Sequence, residues 1–244
     1  MRVAALYDIH GNLPALEAVL EDVARVRADR IVVGGDVIPG PMPSESLARL
    51  LDLAPQTQFI AGNGEVAVLA EMKGKDSGVP ARHREAIRWN AAQLRRCDRE
   101  LLATWRNTLR MEISGLGRVL FCHATPQNSD DIFTRLTPED RLVSIFAESD
   151  ADVVVCGHTH MQFDRTIGRL RVLNAGSVGM PFGDPGAYWL LLGPHVEFHR
   201  TRYDLSVAAS RIRQTHYPGA EEFAAHNVLL PPSEEKMLRA FGAS

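Results

Sequence analysis

The sequence has few cysteines, no long apolar run and no cluster of basic residues. Of its three cysteines, none forms a Cys-x-x-Cys pair, and Cys122 and Cys156 lie inside apolar runs. This pattern predicts buried, reduced thiols and argues against a disulfide framework. No stretch approaches the ~18 apolar residues of a membrane span, and the chain opens on a strand-like run where a secretory signal would stand. We therefore expect a cytoplasmic protein that does not engage a membrane.

The charge composition argues against long nucleic acid as a partner. Lysine and arginine number 27 against 30 aspartate and glutamate residues, and the formal net charge is -3. The sequence has no stripe of basic residues interleaved with aromatic residues, as a surface for long nucleic acid would have. Short nucleotides remain candidate partners. With 244 residues and 45% hydrophobic residues, the chain can bury one sizeable core, so we expect a single domain over residues 1–244.

Polar side chains directly follow five short apolar runs, each of which predicts a buried strand. The runs are Val3–Tyr7, Ile31–Val33, Gln58–Ala61, Arg118–Cys122 and Asp152–Cys156. The polar residues after them are Asp8, His10, Asp36, Asn63, His123, His158 and His160. Ligands of open α/β sheets bind beyond the carboxyl ends of the strands, so we expect these side chains to share one crevice. Oxygen and nitrogen donors without thiolates suit divalent ions such as Mn, Fe, Zn or Ni.

Each of these motifs alone has a simpler explanation. A single histidine such as His123 after a strand is more often a core histidine, and Asp36 after two glycines is more often a turn residue or a helix cap. The pair His158 and His160, taken alone, fits a loop as well as a metal site. Their joint occurrence at five strand ends favours a metal site.

The order of elements predicts an α/β fold with an interruption. Helices predicted after Asn12 and after Pro43 alternate with strands, which indicates a parallel sheet with right-handed crossovers. Residues 65–108 are predicted to form an insertion beside the site with three helices, Glu65–Met72, Val79–Leu94 and Asp98–Thr108, and no strand between them. Most arginines of this insertion are expected to be solvated, with one or two in reach of an anionic substrate. Short strands after about residue 150 predict a second, largely antiparallel block. A helix over Leu205–Thr215 and a polar tail are predicted to follow.

The series Asp8-Ile-His10-Gly-Asn12, Gly35-Asp36, Gly62-Asn63, His123 and Gly157-His158-Thr159-His160 resembles the calcineurin-like metallophosphoesterase superfamily. Gly176-Ser177-Val178-Gly179 and the run Arg88–Leu94 are similar to its small bacterial phosphodiesterase and diadenosine-polyphosphatase-like branch. The resemblance implies a four-layer α/β/β/α sandwich with a helical insertion. It also implies two divalent metal ions, with manganese expected first. One ion would be held by Asp8, His10, Asp36 and His160, and the other by Asp36, Asn63, His123 and His158.

The same resemblance implies a reaction and roles for the residues. The expected activity is hydrolysis of phosphodiesters or nucleotide phosphoanhydrides by a metal-bound hydroxide, with Asp36, Asn63 and His123 as catalytic residues. The expected substrate is small, phosphorylated and nucleotide-like, and Asn12, Gly176 and Ser177 are its candidate contacts, although a tight turn explains the last two equally well. Two alternatives remain: a phosphomonoesterase of a small metabolite, or a catalytically silent metal-binding scaffold. The sequence leaves open whether the protein is a monomer or a homo-oligomer.

One position departs from the superfamily pattern. Many members have a histidine after the asparagine, which protonates the leaving group, whereas this chain has Gly64 followed by Glu65. Either another residue supplies the proton or the leaving group departs without one. His83 in the predicted insertion is a candidate donor; the alternative is an exposed helical histidine with no such role.

Overall fold

The strands of the protein form two five-stranded mixed sheets in the computed structural model, which describes residues 1–54 and 56–242. The strands are β1 (Val3–Leu6), β2 (Arg30–Val33), β3 (Thr57–Phe59), β4 (Thr108–Ile113), β5 (Gly117–Cys122), β6 (Val153–Cys156), β7 (Phe163–Ile167), β8 (Leu170–Asn174), β9 (Ala187–Leu192) and β10 (Val196–Thr201). The first sheet has the order β10-β9-β1-β2-β3 and the second has the order β4-β5-β6-β8-β7. In each sheet three neighbouring strands are parallel (β1, β2, β3 and β5, β6, β8), and the remaining pairings are antiparallel.

The helices lie outside the two sheets. They are α1 (Leu13–Arg25), α2 (Pro43–Leu51), α3 (Asn63–Met72), α4 (Ala81–Gln93), α5 (Arg96–Leu102), α6 (Asp140–Phe146), α7 (Leu205–Arg213), α8 (Ala220–Phe223), a π-helix (Ala224–Leu229) and α9 (Glu234–Gly242). None of the helices in the described part of the chain has both the length and the apolar character that a membrane span requires.

The alternation of side chains along β1 shows how the layers are built. Ala4 and Leu6 pack into a core shared with α1 and α2. Val3, Ala5 and Tyr7 point the other way, into a core that contains residues of both sheets. Successive strand residues face opposite sides of a sheet, so one strand contributes to two cores. A third core joins the outer face of the second sheet to α6. The predicted four-layer α/β/β/α sandwich is confirmed.

Three parts of the predicted element order are wrong. The helix expected over residues 98–108 ends at Leu102, and Thr108 begins β4, an edge strand whose half-exposed residues resemble a helix surface in the sequence. The four late strands are not one block, because β7 and β8 join the second sheet while β9 and β10 join the first. The expected polar tail contains α8, the π-helix and α9.

Candidate metal centre

The loops that follow five parallel strands bring the seven predicted ligands together. Asp8 and His10 follow β1, Asp36 follows β2, and Asn63 begins α3 directly after β3. The remaining three, His123, His158 and His160, follow β5 and β6. Although these strands belong to two sheets, their carboxyl ends meet at one crevice, as the strand-end pattern predicted.

Two groups of side chains in this crevice are compact enough to hold a metal ion. Ligand atoms of Asp8, His10 and His160 lie within 4.8 Å of one another, and so do those of Asp8, Asp36 and His123. Asn63 extends the second group, since its Oδ1 lies 2.9 Å from Nε2 of His123. The ring of His158 meets that of His123 edge-on, with centroids 5.2 Å apart.

Two carboxylates reach both groups. Oδ2 of Asp36 lies 3.6 Å from Nε2 of His10, while its Oδ1 lies 3.6 Å from Nε2 of His123. Oδ1 of Asp8 lies 3.4 Å from His160 and 3.8 Å from His123. The position of Asp36 is the one that a bridging ligand needs, because its two oxygens face different histidines.

Three of the histidines have their second ring nitrogen fixed by the backbone. Nδ1 of His10, His123 and His160 lies 3.2, 2.9 and 2.7 Å from the carbonyl oxygens of Pro39, Gly34 and Met180, respectively. A carbonyl only accepts, so Nδ1 donates its proton, and Nε2, the atom left to bind a metal, points into the crevice. Such carbonyl contacts orient metal-binding histidines in proteins.

The donor set fits divalent cations on two observations. Oδ1 of Asp8 is buried and has no hydrogen-bonding partner among the described residues, and a buried carboxylate oxygen without a partner is costly. Nε2 of His10 also faces Nε2 of His160 at 3.2 Å, although both rings use Nδ1 as the donor. Lone pairs that converge in this way are stabilised by a cation between them.

The pKa values of the four histidines shift in opposite directions: against the effect of burial, the charges of Asp36 and Asp8 raise the pKa of His123, and Asp8 raises that of His160. Burial, followed by the charge of His160, lowers the pKa of His10 to about 3, and burial lowers the pKa of His158 to about 3. Both rings are therefore neutral at pH 7, which is the form that binds metal. Burial raises the pKa of Asp36 to about 6, with His123 opposing the increase and Asp8 adding to it.

The backbone is strained at the ligands. Among the described residues that are not glycine, six have a positive φ. Five of them are predicted ligands: Asp8, His10, Asp36, His158 and His160. Positive φ costs of order 1–3 kcal/mol for such residues, and observed strain of this kind clusters at functional sites.

The sequence analysis missed the role of Glu65. This fully buried carboxylate accepts hydrogen bonds from the backbone N–H groups of Asp36 and Gly62 through Oε2 (2.9 and 2.8 Å) and of Ile38 through Oε1 (3.1 Å). Burial, followed by the charge of Asp36, raises the pKa of Glu65 to about 7. Glu65 thereby joins the loop after β2 to the start of α3, and so positions Asp36 relative to Asn63.

Gly64 leaves no space for a side chain. A Cβ placed there would lie 2.2 Å from the carbonyl oxygen of Ile38 and 2.6 Å from Cδ of Pro39. The Gly64 N–H also donates to Oδ1 of Asp36 at 2.7 Å. The position after Asn63 is therefore closed to a side chain by the backbone.

The three predicted substrate contacts are buried, and their polar groups bind within the protein. Asn12 caps α1 by accepting from the Ala15 N–H and donates to the carbonyl of Gly179. The Ser177 hydroxyl donates to the carbonyl of Asp8 at 2.7 Å, and the Gly176 N–H donates to Asn174. These contacts support the ligand loop, and direct contact of the three residues with substrate stays a prediction.

A cleft of about 600 Å³ opens beside the ligands His10, Asp36 and Asn63. Its walls come from the start of α4 and from residues 217–227. Among the arginines of α4, Arg82 lines the cleft, whereas Arg84 and Arg88 lie near acidic residues outside it. A smaller polar recess of about 170 Å³ adjoins His123.

The family model of the calcineurin-like phosphoesterase superfamily domain matches residues 1–193, and the chain belongs to this superfamily. The phosphodiesterase YfcE of Escherichia coli (strain K12) is 26% identical over 206 residues, which cover 78% of this chain and 87% of YfcE. A metallophosphoesterase structure from Sphaerobacter thermophilus is 27% identical, with a TM-score of 0.72 over 93% of this chain and 99% of the other. Protein PH1004 of Pyrococcus horikoshii OT3 has the same fold, with a TM-score of 0.80, 19% identity and coverage of 95% and 99%.

The protein is therefore a hydrolase that acts on phosphoester bonds. Its superfamily implies divalent metal ions as cofactors, and the two groups of converging side chains are candidates to hold them.

Replacing Asp36 should disturb the site more than replacing a histidine that belongs to one group. Asp36→Asn removes the negative charge that lies between the two groups of histidines, so we expect both ions to bind more weakly. His160→Ala, in the first group alone, should weaken mainly one. Metal content measured by mass spectrometry after dialysis checks this. Full occupancy of both ions in Asp36→Asn would contradict the bridging role.

Replacing Glu65 should weaken the protein even without metal. Glu65→Ala leaves three buried N–H groups unpaired, each costing ~1–3 kcal/mol, so we expect a loss of about 3 kcal/mol or more in the free energy of unfolding. Glu71→Ala, on the same helix and paired with Arg88 at 3.5 Å, is the matched control and should cost less than about 1 kcal/mol. Urea denaturation of the metal-free proteins measures both. Equal stability of the two variants would rule out this role.

Proposed function

We propose that the protein hydrolyses phosphodiesters or nucleotide phosphoanhydrides at a site for two divalent ions, of which manganese is our first candidate. The observation that carries this proposal is the buried Oδ1 of Asp8, which has no hydrogen-bonding partner in the described structure and lies among three imidazoles. The similarity to the E. coli phosphodiesterase YfcE supports a diester as substrate. We propose that the substrate is a small nucleotide-like molecule and that the enzyme acts in the cytoplasm.

We propose that the ligand set divides between two ions, with Asp36 shared by both. Asp8, His10, Asp36 and His160 would hold one ion, and Asp36, Asn63, His123 and His158 the other. Bound ions of this kind lower the pKa of water and neutralise charge on phosphoryl oxygens. The side chains contribute orientation, because three of the imidazoles are fixed through Nδ1 by backbone carbonyls.

Neither Gly64 nor His83 is suited to supply a proton to the leaving group near Asn63. Gly64 is closed to any side chain. His83 lines the cleft, but its Nε2 accepts a hydrogen bond from Nε of Arg82 at 3.0 Å. Burial, followed by the charge of Arg82, lowers the pKa of His83. This direction disfavours the protonated ring that a proton donor needs.

Turnover of a simple diester tests the proposed function. We expect the manganese-loaded protein to hydrolyse bis(p-nitrophenyl) phosphate and the metal-free protein to be inactive. The control is His123→Ala, which should lose activity without unfolding, as circular dichroism would show. Bound metal without turnover of any phosphate ester or anhydride would instead indicate a catalytically silent scaffold.

Because no side chain fits at Gly64, we predict that the hydrolysis rate depends steeply on the pKa of the leaving group. Proton donation typically contributes ~10²–10⁴-fold and matters most for strongly basic leaving groups. We therefore expect aryl esters and anhydrides to be good substrates and alkyl phosphomonoesters to be poor ones. Rates for phosphate esters of graded leaving-group pKa measure this dependence.

The same series of esters, measured with His83→Ala, tests whether His83 acts as the proton donor. We expect the rate to depend on leaving-group pKa as steeply in this variant as in the unmodified protein. A flat series in the unmodified protein that becomes steep in His83→Ala would identify His83 as the donor and contradict our interpretation of Gly64.

A further inference from the structure

One wall of the cleft beside the metal centre lies outside the matched family domain. The family match ends at residue 193, whereas Tyr217, Phe223, His226 and Asn227 all line the cleft. The cleft also reaches His10, Asp36 and Asn63, so a phosphate held by ions at these ligands would carry its organic group along this wall.

Aromatic contacts hold the two walls together. Tyr217 packs edge-on against Trp89 of α4, with ring centroids 5.4 Å apart, and against Phe223 at 6.2 Å. Trp89 belongs to the helical insertion and Tyr217 to the C-terminal segment, so this pair joins the segments that carry the two walls. A cleft held in this way is formed before substrate binds, so binding costs the protein little conformational entropy.

The polar groups of this wall are available to a ligand. His226 is exposed and Asn227 is half-buried, and within the described residues neither side chain has a hydrogen-bonding partner. Both lie on the π-helix Ala224–Leu229, and π-helical turns occur frequently at functional sites. Imidazole and amide groups supply both donors and acceptors.

The lining indicates the chemistry of the occupant. Val79, Ile87, Met180 and Phe223 are apolar, and about 600 Å³ is far more than a bare phosphate needs. Arg82, Glu222, His226 and Asn227 also line the cleft, which makes it a poor match for a lipid chain. A flat ring system with polar edges, such as a nucleobase, satisfies both the apolar surfaces and the hydrogen-bonding groups.

We propose that residues 217–227 form the specificity-determining wall of the enzyme, on which His226 and Asn227 bind the base of a nucleotide substrate. This inference rests on the proposed function for the position of the phosphate, but it assigns recognition of the organic group to residues beyond the matched domain. The metal ligands then bind the phosphate of any ester, and this wall selects among esters.

Two ligands that differ only in the base test the proposal. Adenosine 5′-monophosphate and ribose 5-phosphate share the sugar and the phosphate, so the ratio of their dissociation constants reports on the base. We expect the manganese-loaded protein to bind the nucleotide at least about tenfold more tightly in calorimetry, because base contacts of this kind are typically worth that much or more. The double variant His226→Ala/Asn227→Ala should lose that preference and bind ribose 5-phosphate unchanged.

His216→Ala is the matched control. His216 is an exposed histidine of the same C-terminal region that does not line the cleft, so its replacement should leave both dissociation constants unchanged. Equal binding of the two ligands by the unmodified protein, or an unchanged preference in the double variant, would overturn the proposal.

Turnover of bis(p-nitrophenyl) phosphate separates this proposal from the proposed function. Retained turnover together with a lost base preference in the double variant supports both. Base-dependent binding without turnover of any ester would overturn the proposed function while supporting recognition by this wall.

Discussion

The constraint on which the site depends is the burial of two carboxylates among four imidazoles at the junction of two sheets. Asp8 is fully buried, and one of its oxygens has no partner among the described residues. A buried negative charge of this kind is expensive unless positive charge or hydrogen bonds compensate it. The surrounding contacts follow from this requirement. Backbone N–H groups donate to the second oxygen of Asp8 and to one oxygen of Asp36. Backbone carbonyls orient the histidine rings, and strained loops hold the ligands in place.

The family resemblance predicted the four-layer sandwich, and the strand-end pattern predicted that the seven side chains share one crevice. Each ligand follows a short apolar run, and the run itself specifies a buried strand whose end faces the crevice. Asp36 and His123 illustrate this, because they are far apart in sequence, their side chains lie 3.6 Å apart, and they were predicted to be neighbours from strand position alone. Metal binding by these residues stays a prediction, because the structure gives the distances between the donor atoms and not the affinity of the site for an ion.

Glu65 and the cleft wall could not be predicted in the same way. The role of Glu65 depends on N–H groups of a loop 27 to 29 residues earlier in the chain, and no local pattern distinguishes it from a surface glutamate near a helix start. His226 lies in a polar segment without clear periodicity, so the helices there were missed. The two late hairpins show the same limit: apolar alternation specified their strands but not which sheet each would join.

The chain between β8 and β9 crosses from the second sheet to the first and passes directly under the metal centre. Along this crossing, the Val178 and Gly179 N–H groups donate to the carbonyls of Tyr7 and Asp8, and the carbonyl of Met180 faces His160. The two halves of the sandwich are thus tied at the place where the ligands converge. Because these contacts join the ligand loops to both sheets, we expect loss of the ligand arrangement to accompany separation of the two sheets.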